Sequence, residues 1–287
     1  MRRAYVSADG SIVVAQIEHK NRIQIAVWDV PEDSLSFLPL ERNPGSEFRI
    51  NALGPSGKVV AGDYFPPASK IWRAYTATHD SFRPLRTPAG FSQSSAQAVG
   101  QDGQIVVGTA WNGDGHLASE HIKGARVVLW DKGKPKLLSG FDNPDFNWVP
   151  WDASEDGSVV VGARWPVGIQ GPWLNAEPSR PFYWEKGKVK VFEVAAGVFE
   201  DVTPDGQFVV GQCRTGAVIW DQSRGMLRRV EDLLTSRGVD LDGRRLSSCQ
   251  AISDDGTTLV GNAVAPDGRE EAWLAHIPHE AFGNKSP

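Results

Sequence analysis

Four side chains raise the question of chemistry first: Asp152, Glu200, Asp201 and Arg164. Asp152 and Asp201 each stand five residues before a recurring turn glycine, Glu200 stands six before, and Arg164 follows a Val-Val-Val-Gly run. Carboxylates beside an arginine can move protons at a substrate or bind a hydroxylated ligand. The bland alternative is a solvated, salt-bridged channel mouth. Aromatic residues form a second group. Trp111, Trp165 and Trp173 fall in two long loops, and Asn147-Trp-Val-Pro-Trp151 carries Trp148 and Trp151 between them. Indoles gathered at one rim stack sugars, cations or peptide anchors. The competing reading is that they plug their own loops onto the protein. His116 and His121 share the first long loop, and Arg214 follows the Val-Val-Gly run of the next segment much as Arg164 follows its own.

Other chemistries find little support. His116 and His121 are five apart, with Asp114 and Glu120 nearby, but loop spacing constrains a metal weakly and no helix-borne HExxH is present. No metal or cofactor is expected. No GxSxG, Walker loop or GxGxxG occurs. Cys213 and Cys249 occupy comparable places in neighbouring segments, open to a disulfide or to two buried thiols. Two cysteines are too few for a disulfide framework. Lys+Arg 30 against Asp+Glu 35 gives a net charge of -5, with no basic field for nucleic acid. No apolar run approaches the ~20 residues of a membrane helix. Hydrophobic content of 40% supplies a sizeable core.

The elements that must position these residues follow from a repeat. One phrase recurs six times, as in Val6-Ser-Ala-Asp-Gly-Ser-Ile-Val-Val-Ala15, Val99-Gly-Gln-Asp-Gly-Gln-Ile-Val-Val-Gly108 and Ile252-Ser-Asp-Asp-Gly-Thr-Thr-Leu-Val-Gly261. Its turn glycines are Gly10, Gly57, Gly103, Gly157, Gly206 and Gly256, spaced by 47, 46, 54, 49 and 50 residues. Asp-Gly between apolar runs reads as a hairpin, because glycine adopts φ > 0 without steric cost. The following run is β-branched, as strands prefer. An aromatic strand comes next, such as Val127-Val-Leu-Trp-Asp131, and then a shorter apolar run. Four strands in a unit of that size make a propeller blade.

The expected fold is therefore all-β: a six-bladed β-propeller of four-stranded, some three-stranded, blades. It forms one domain over 1–287, with blades near 1–47, 48–94, 95–147, 148–197, 198–246 and 247–287. Trp28, Trp130, Trp184, Trp220 and Trp273 belong to the third strands and are expected in the core, and Trp72 with them. One helix is expected, over 230–238, closed by Gly238.

The phrase Ser-Xaa-Asp-Gly-Xaa-Xaa-Val-Val-Gly, followed by Ala-Phe-Xaa-Trp, resembles the HAF family of bacterial extracellular repeats. The stretch from Leu246 through Leu274 is especially similar to that family's closing repeat. The resemblance covers nearly the whole chain. It implies a propeller and a secreted or periplasmic setting, although no signal segment stands in this sequence. It implies no activity, since the matching residues build blades. The Trp-Asp pairs at 28–29, 130–131 and 220–221 also resemble WD-repeat blades, without that family's Gly-His element.

Strand order by analogy with such blades makes the strand before each turn innermost. From strand two to the aromatic of strand three there are 22 residues in blades three and four, against 9 to 13 elsewhere. The ligand site is thus expected on the blade three–four rim, at the mouth of the channel. It would comprise Trp111, His116, His121, Trp148, Trp151, Trp165, Trp173 and Arg214, with Asp152, Glu200, Asp201 and Arg164 as its catalytic set if it is an enzyme. A small polar molecule or glycan is the expected partner of a monomeric binding module. An enzyme (lyase, hydrolase, isomerase or cyclase) and a protein-binding scaffold are the rival classes.

Overall fold

The computed structural model describes residues 4–19, 22–40, 46–66, 69, 71–116, 122–169, 179–194 and 196–278. Blade one contains β1 (Ala4–Val6), β2 (Ile12–His19), β3 (Arg22–Asp29) and β4 (Ser34–Phe37). Blade two contains β5 (Glu47–Leu53), β6 (Val60–Phe65), β7 (Arg73–Ala77) and β8 (Phe82–Pro84). Blade three contains β9 (Gln93–Val99), β10 (Ile105–Asn112), β11 (Lys123–Asp131) and β12 (Lys134–Leu137). Blade four contains β13 (Phe146–Ala153), β14 (Val159–Pro166), β15 (Arg180–Glu185) and β16 (Lys188–Val191). Blade five contains β17 (Val198–Val202), β18 (Phe208–Cys213), β19 (Gly216–Asp221) and β20 (Met226–Arg229). The helix α1 (Val230–Thr235) leads to blade six, which has three strands: β21 (Arg245–Ile252), β22 (Thr258–Val264) and β23 (Glu270–His276). Every sheet runs in chain order with antiparallel neighbours, so the fold is a six-bladed β-propeller.

Two compact units divide the chain. The first holds residues 1–150, 155–157 and 166–171; the second holds 151–154, 158–165 and 172–287. In the first, Val14, Ile25, Phe48, Ile50 and Tyr75 join blades one and two, and Ala61, Ala96, Val106, Val128 and Trp130 join blades two and three. In the second, Val159, Tyr183, Phe199, Val209 and Trp220 join blades four and five. Val210, Ile219, Leu246 and Leu259 join blades five and six, with Val230 and Leu233 of α1 packed among them. Burying one such large side chain contributes about 2–3 kcal/mol. Trp72, Trp130, Trp184 and Trp220 are buried as expected. Trp28 is not: it stands 43% exposed, in a cross-strand row with Val13 and Leu35.

The repeat phrase explains two local devices. The first is the turn. Each turn glycine has φ between +68° and +73°, and its N–H closes a tight turn, as from Gly10 to the Ser7 carbonyl. That glycine also lies flat on the preceding blade: Gly57 against Ile12, Gly103 against Val59, Gly206 against Val159, Gly256 against Phe208.

The second device is the final glycine of Val-Val-Gly. In blades two, three, five and six the register between strands one and two skips a residue at the same place, Asn51, Gln97, Glu200 or Gln250, and blade six skips Ser247 as well. Each is a β-bulge, two residues facing one. The bulge swings a carbonyl over the glycine opposite. A Cβ there would lie 1.9 Å from the Arg49 oxygen at Gly62, 2.0 Å from Ser95 at Gly108, 2.1 Å from Val198 at Gly211 and 2.0 Å from Ser248 at Gly261. Blade one has Ala15 at this position, and its register runs unbroken from Ala4↔Ala15 to Val6↔Val13.

Candidate functional site

Three of the tryptophans expected on the rim are closed to a ligand. Trp111, Trp148 and Trp165 are 0%, 4% and 2% exposed. Trp111 donates Nε1–H to the Gly115 carbonyl, and Trp148 packs edge-on against Phe141 at 5.3 Å. An indole offers a large apolar area, and the protein interior has taken all of it. Trp111, Trp148 and Trp165 stand on β10, β13 and β14 rather than in loops, and none of the three leaves a face for a sugar to stack on. Trp173 and His121 lie outside the described residues. Trp151 is half-buried at the blade-four position equivalent to the bulges. Arg214 is exposed on the β18–β19 turn.

The carboxylates of the proposed catalytic set do gather, within the second unit. Asp152 accepts the Val202 N–H at 3.0 Å; Asp201 accepts the same N–H at 2.9 Å and the Ile252 N–H at 2.8 Å. The two carboxyl groups also hydrogen-bond to each other. Desolvation, and for Asp152 the facing carboxylate, push both above the usual carboxylate range. They share a proton while tying successive inner strands together. Glu200, on its bulge, accepts from Gln212 Nε2 at 3.2 Å. Cys249 is buried beside this group, and desolvation followed by the Asp201 charge pushes its thiol well up. Cys213 and Cys249 are both free thiols.

Arg164, the fourth member of that set, stands on β14. It lies opposite Arg180 in the β14–β15 register. Burial lowers its proton affinity, partly offset by Glu193.

The most unusual polar arrangement lies in the first unit, at the end of blades two and three where their inner strands begin. Asp63, on the central strand β6, is fully buried. Its Oδ1 accepts from Asn51 Nδ2 at 2.7 Å and Ser95 Oγ at 2.8 Å. Asn51 is the blade-two bulge residue, so the bulge is what aims its amide at the carboxylate. Asn51 also donates to the Ala96 carbonyl, and Gln97, the next bulge residue, donates to Ser95 Oγ.

Asp63 Oδ2 faces His116 Nε2 at 3.2 Å. Both atoms are buried and neither makes a well-formed hydrogen bond. His116 is seated by its neighbours. Gln93 accepts the Trp72 N–H and donates to the Gly113 carbonyl, pinning the loop that carries the imidazole. The Trp72 ring meets His116 edge-on at 4.9 Å, and the Arg49 guanidinium covers Trp72 at 4.3 Å. The His116 side chain remains 20% exposed. Of the residues singled out by sequence, only His116 is in this cluster with a polar role; Trp111 backs it at 6.5 Å. The signal overlooked was Asp63 itself, a charge between Gly62 and Tyr64 in the middle of an apolar strand. Among the described residues no group of three or more His, Cys, Asp and Glu could hold a metal ion.

Blades and site together define a propeller carrying a partly covered polar cluster. Solved structures that it resembles are of the same class. Prolyl oligopeptidase B from Galerina marginata matches with a TM-score of 0.61 and 11% identity, over 96% of this chain and 42% of that one. The β-propeller domain of the Trilobed protease from Pyrococcus furiosus matches at 0.55 and 13%, over 95% and 82%. TolB from Acinetobacter baumannii matches at 0.50 and 14%, over 96% and 63%. At these identities the likeness shows the fold alone. The chain spans under half of the peptidase's length, so that enzyme's activity does not carry over. No family model matches the chain, and no curated protein matches it in sequence. Among the described residues no helix is long and apolar enough to cross a membrane.

Proposed function

We propose that the protein is a ligand-binding propeller, and that its ligand is a small hydroxylated molecule, a glycan fragment in the first place, held at Asp63–His116. The observation that carries this reading is the buried Asp63 Oδ2 facing His116 Nε2 with no other partner. A buried carboxylate oxygen left to one imidazole is costly unless it orients that ring for a purpose. With Nε2–H turned to Asp63, Nδ1 is the ring atom left to accept a ligand hydroxyl. Arg49 adds donors at the same edge. The repeat's resemblance to the HAF family favours a bacterial, secreted or periplasmic setting for such a module.

A second reading rests on the same pair. A histidine oriented by a buried carboxylate is the arrangement of a general base. On that reading His116 takes a proton from a bound hydroxyl and Asp63 is its positioning residue.

The test is a glycan panel titrated against the protein, with tryptophan fluorescence as readout, since Trp72 touches His116. A saturable change that persists in Trp165→Ala and disappears in His116→Ala supports the site. Silence across the panel removes the carbohydrate. A response that survives His116→Ala moves the ligand elsewhere. Analysis of the bound sugar for turnover separates the enzyme from the binding module.

A further inference from the structure

The outer edge of blades two and three carries a second feature, independent of the Asp63–His116 cluster. A groove of about 740 Å³ opens there, bordered by Arg83, Arg86, Lys132 and Lys134. No carboxylate lines it, although the chain's net charge is -5. Among the described residues none of these four cations forms an ion pair, whereas most other arginines with a described contact pair with a nearby carboxylate. Lys132 also borders a neighbouring hollow of about 340 Å³ that holds Asp102, Asp131 and Glu155, yet it pairs with none of them.

The groove is built rather than incidental. The β11–β12 connection is a two-residue turn with Lys132 at φ +50° and Gly133 at φ +78°, both left-handed. Arg83 lies flat over that turn and donates from Nη2 to the Lys132 carbonyl at 3.0 Å. A Cβ on Gly133 would fall 2.2 Å from the same nitrogen, so a larger residue there would push the guanidinium off the turn. Trp130, fully buried, donates Nε1–H to the Arg86 carbonyl at 2.7 Å and fixes the other wall. Pro88, Pro135 and Leu137 supply an apolar floor.

We infer that this groove binds a small organic phosphate, its phosphoryl group held by Arg83, Arg86 and Lys134 and its body resting on the proline floor. Guanidinium forks match phosphate oxygens in pairs. The volume is that of a small-ligand site. Four cations in one concavity, on an acidic chain, are too few and too local to track a nucleic acid backbone.

The experiment is ³¹P NMR titration of the intact protein with glucose 6-phosphate, inorganic phosphate and glucose as separate probes, at low salt. The expected result is a saturable shift with the phosphate ester, weaker binding of inorganic phosphate, and no competition by glucose. The ester should bind roughly tenfold or more weakly in Arg86→Gln/Lys134→Gln, since two charge-assisted contacts are lost. Both side chains are exposed, so this variant should melt like the parent. Absence of saturation, or equal affinity in parent and variant, overturns the inference. So does retention on duplex DNA without any ester binding. None of these results bears on His116, so the two sites succeed or fail separately.

Discussion

Asp152 and Asp201 direct their carboxyl groups at one backbone N–H, that of Val202, and hold a proton between them. The contact makes the two acids a clamp between consecutive inner strands. Burial raises both groups, so the stabilisation they give is complete below the ordinary carboxylate range and fades as pH climbs through the raised values.

Asp152→Asn should therefore be more stable than the parent at neutral pH, by on the order of 1 kcal/mol, roughly 2–4 °C in Tm. Its amide still accepts from Val202 and now donates to Asp201 without a shared proton. Thermal melts across a pH series check this. Parallel curves for parent and variant would show that the pair carries no titrating link.

Gly108→Ala places a methyl 2.0 Å from the Ser95 oxygen and forces the blade-three bulge open. The cost should be about 3 kcal/mol in urea unfolding, at the upper end of overpacking effects. Ala15→Gly in the unbulged blade one should cost only about 1 kcal/mol.

Asp63→Ala strips the acceptor from Asn51 and Ser95 and leaves their donors buried. A loss of about 2–4 kcal/mol is expected, with Asp63→Asn nearer the parent. If Asp63→Ala melts like the parent, the cluster is better hydrated than its burial implies.

Asp9 accepts from Ser7 Oγ and from the Ser11 backbone and hydroxyl, which hold its carboxyl down at about 2. Its side-chain carbonyl resonance should titrate there. Ser7→Ala should bring the midpoint up toward the ordinary aspartate range.

Cys213 and Cys249 should both resist a thiol reagent in the native protein and both react in urea, without any reductant. A single reactive thiol after unfolding would be unexpected.

The blades were legible because their signals are local. Asp-Gly needs only its own φ, and a Val-Val run needs only its own strand. The helix over 230–235 was legible through Val230, Leu233 and Leu234 on one face. What stayed hidden was non-local. Strict alternation along a strand leaves open whether Asn51 or Ala52 faces inward; the bulge dissolves that choice, and it shows only in the pairing with β6. Loop length pointed to Trp111 and Trp165 as surface residues, because length does not reveal that β10 and β14 run on past the glycine and bury both indoles. Trp28 erred the other way, matching its blade-three counterpart in sequence while standing largely open. Asp63 was readable in principle: a charge inside a buried strand must find partners, and its partners come from blade three.

Five of the six turn glycines, all but Gly10, rest on the residue that opens the second strand one blade earlier or stands just before it, as Gly103 rests on Val59 and Gly256 on Phe208. Both halves of that joint are therefore encoded in a single copy of the repeat, a socket at the apolar residue and a ball at the glycine. Duplicating one copy duplicates a complete joint, and a lineage can lengthen or shorten such an array by gene slippage without inventing a new interface. The same modularity leaves the outer strands and the loops free to vary, and the basic groove and the His116 loop both lie there.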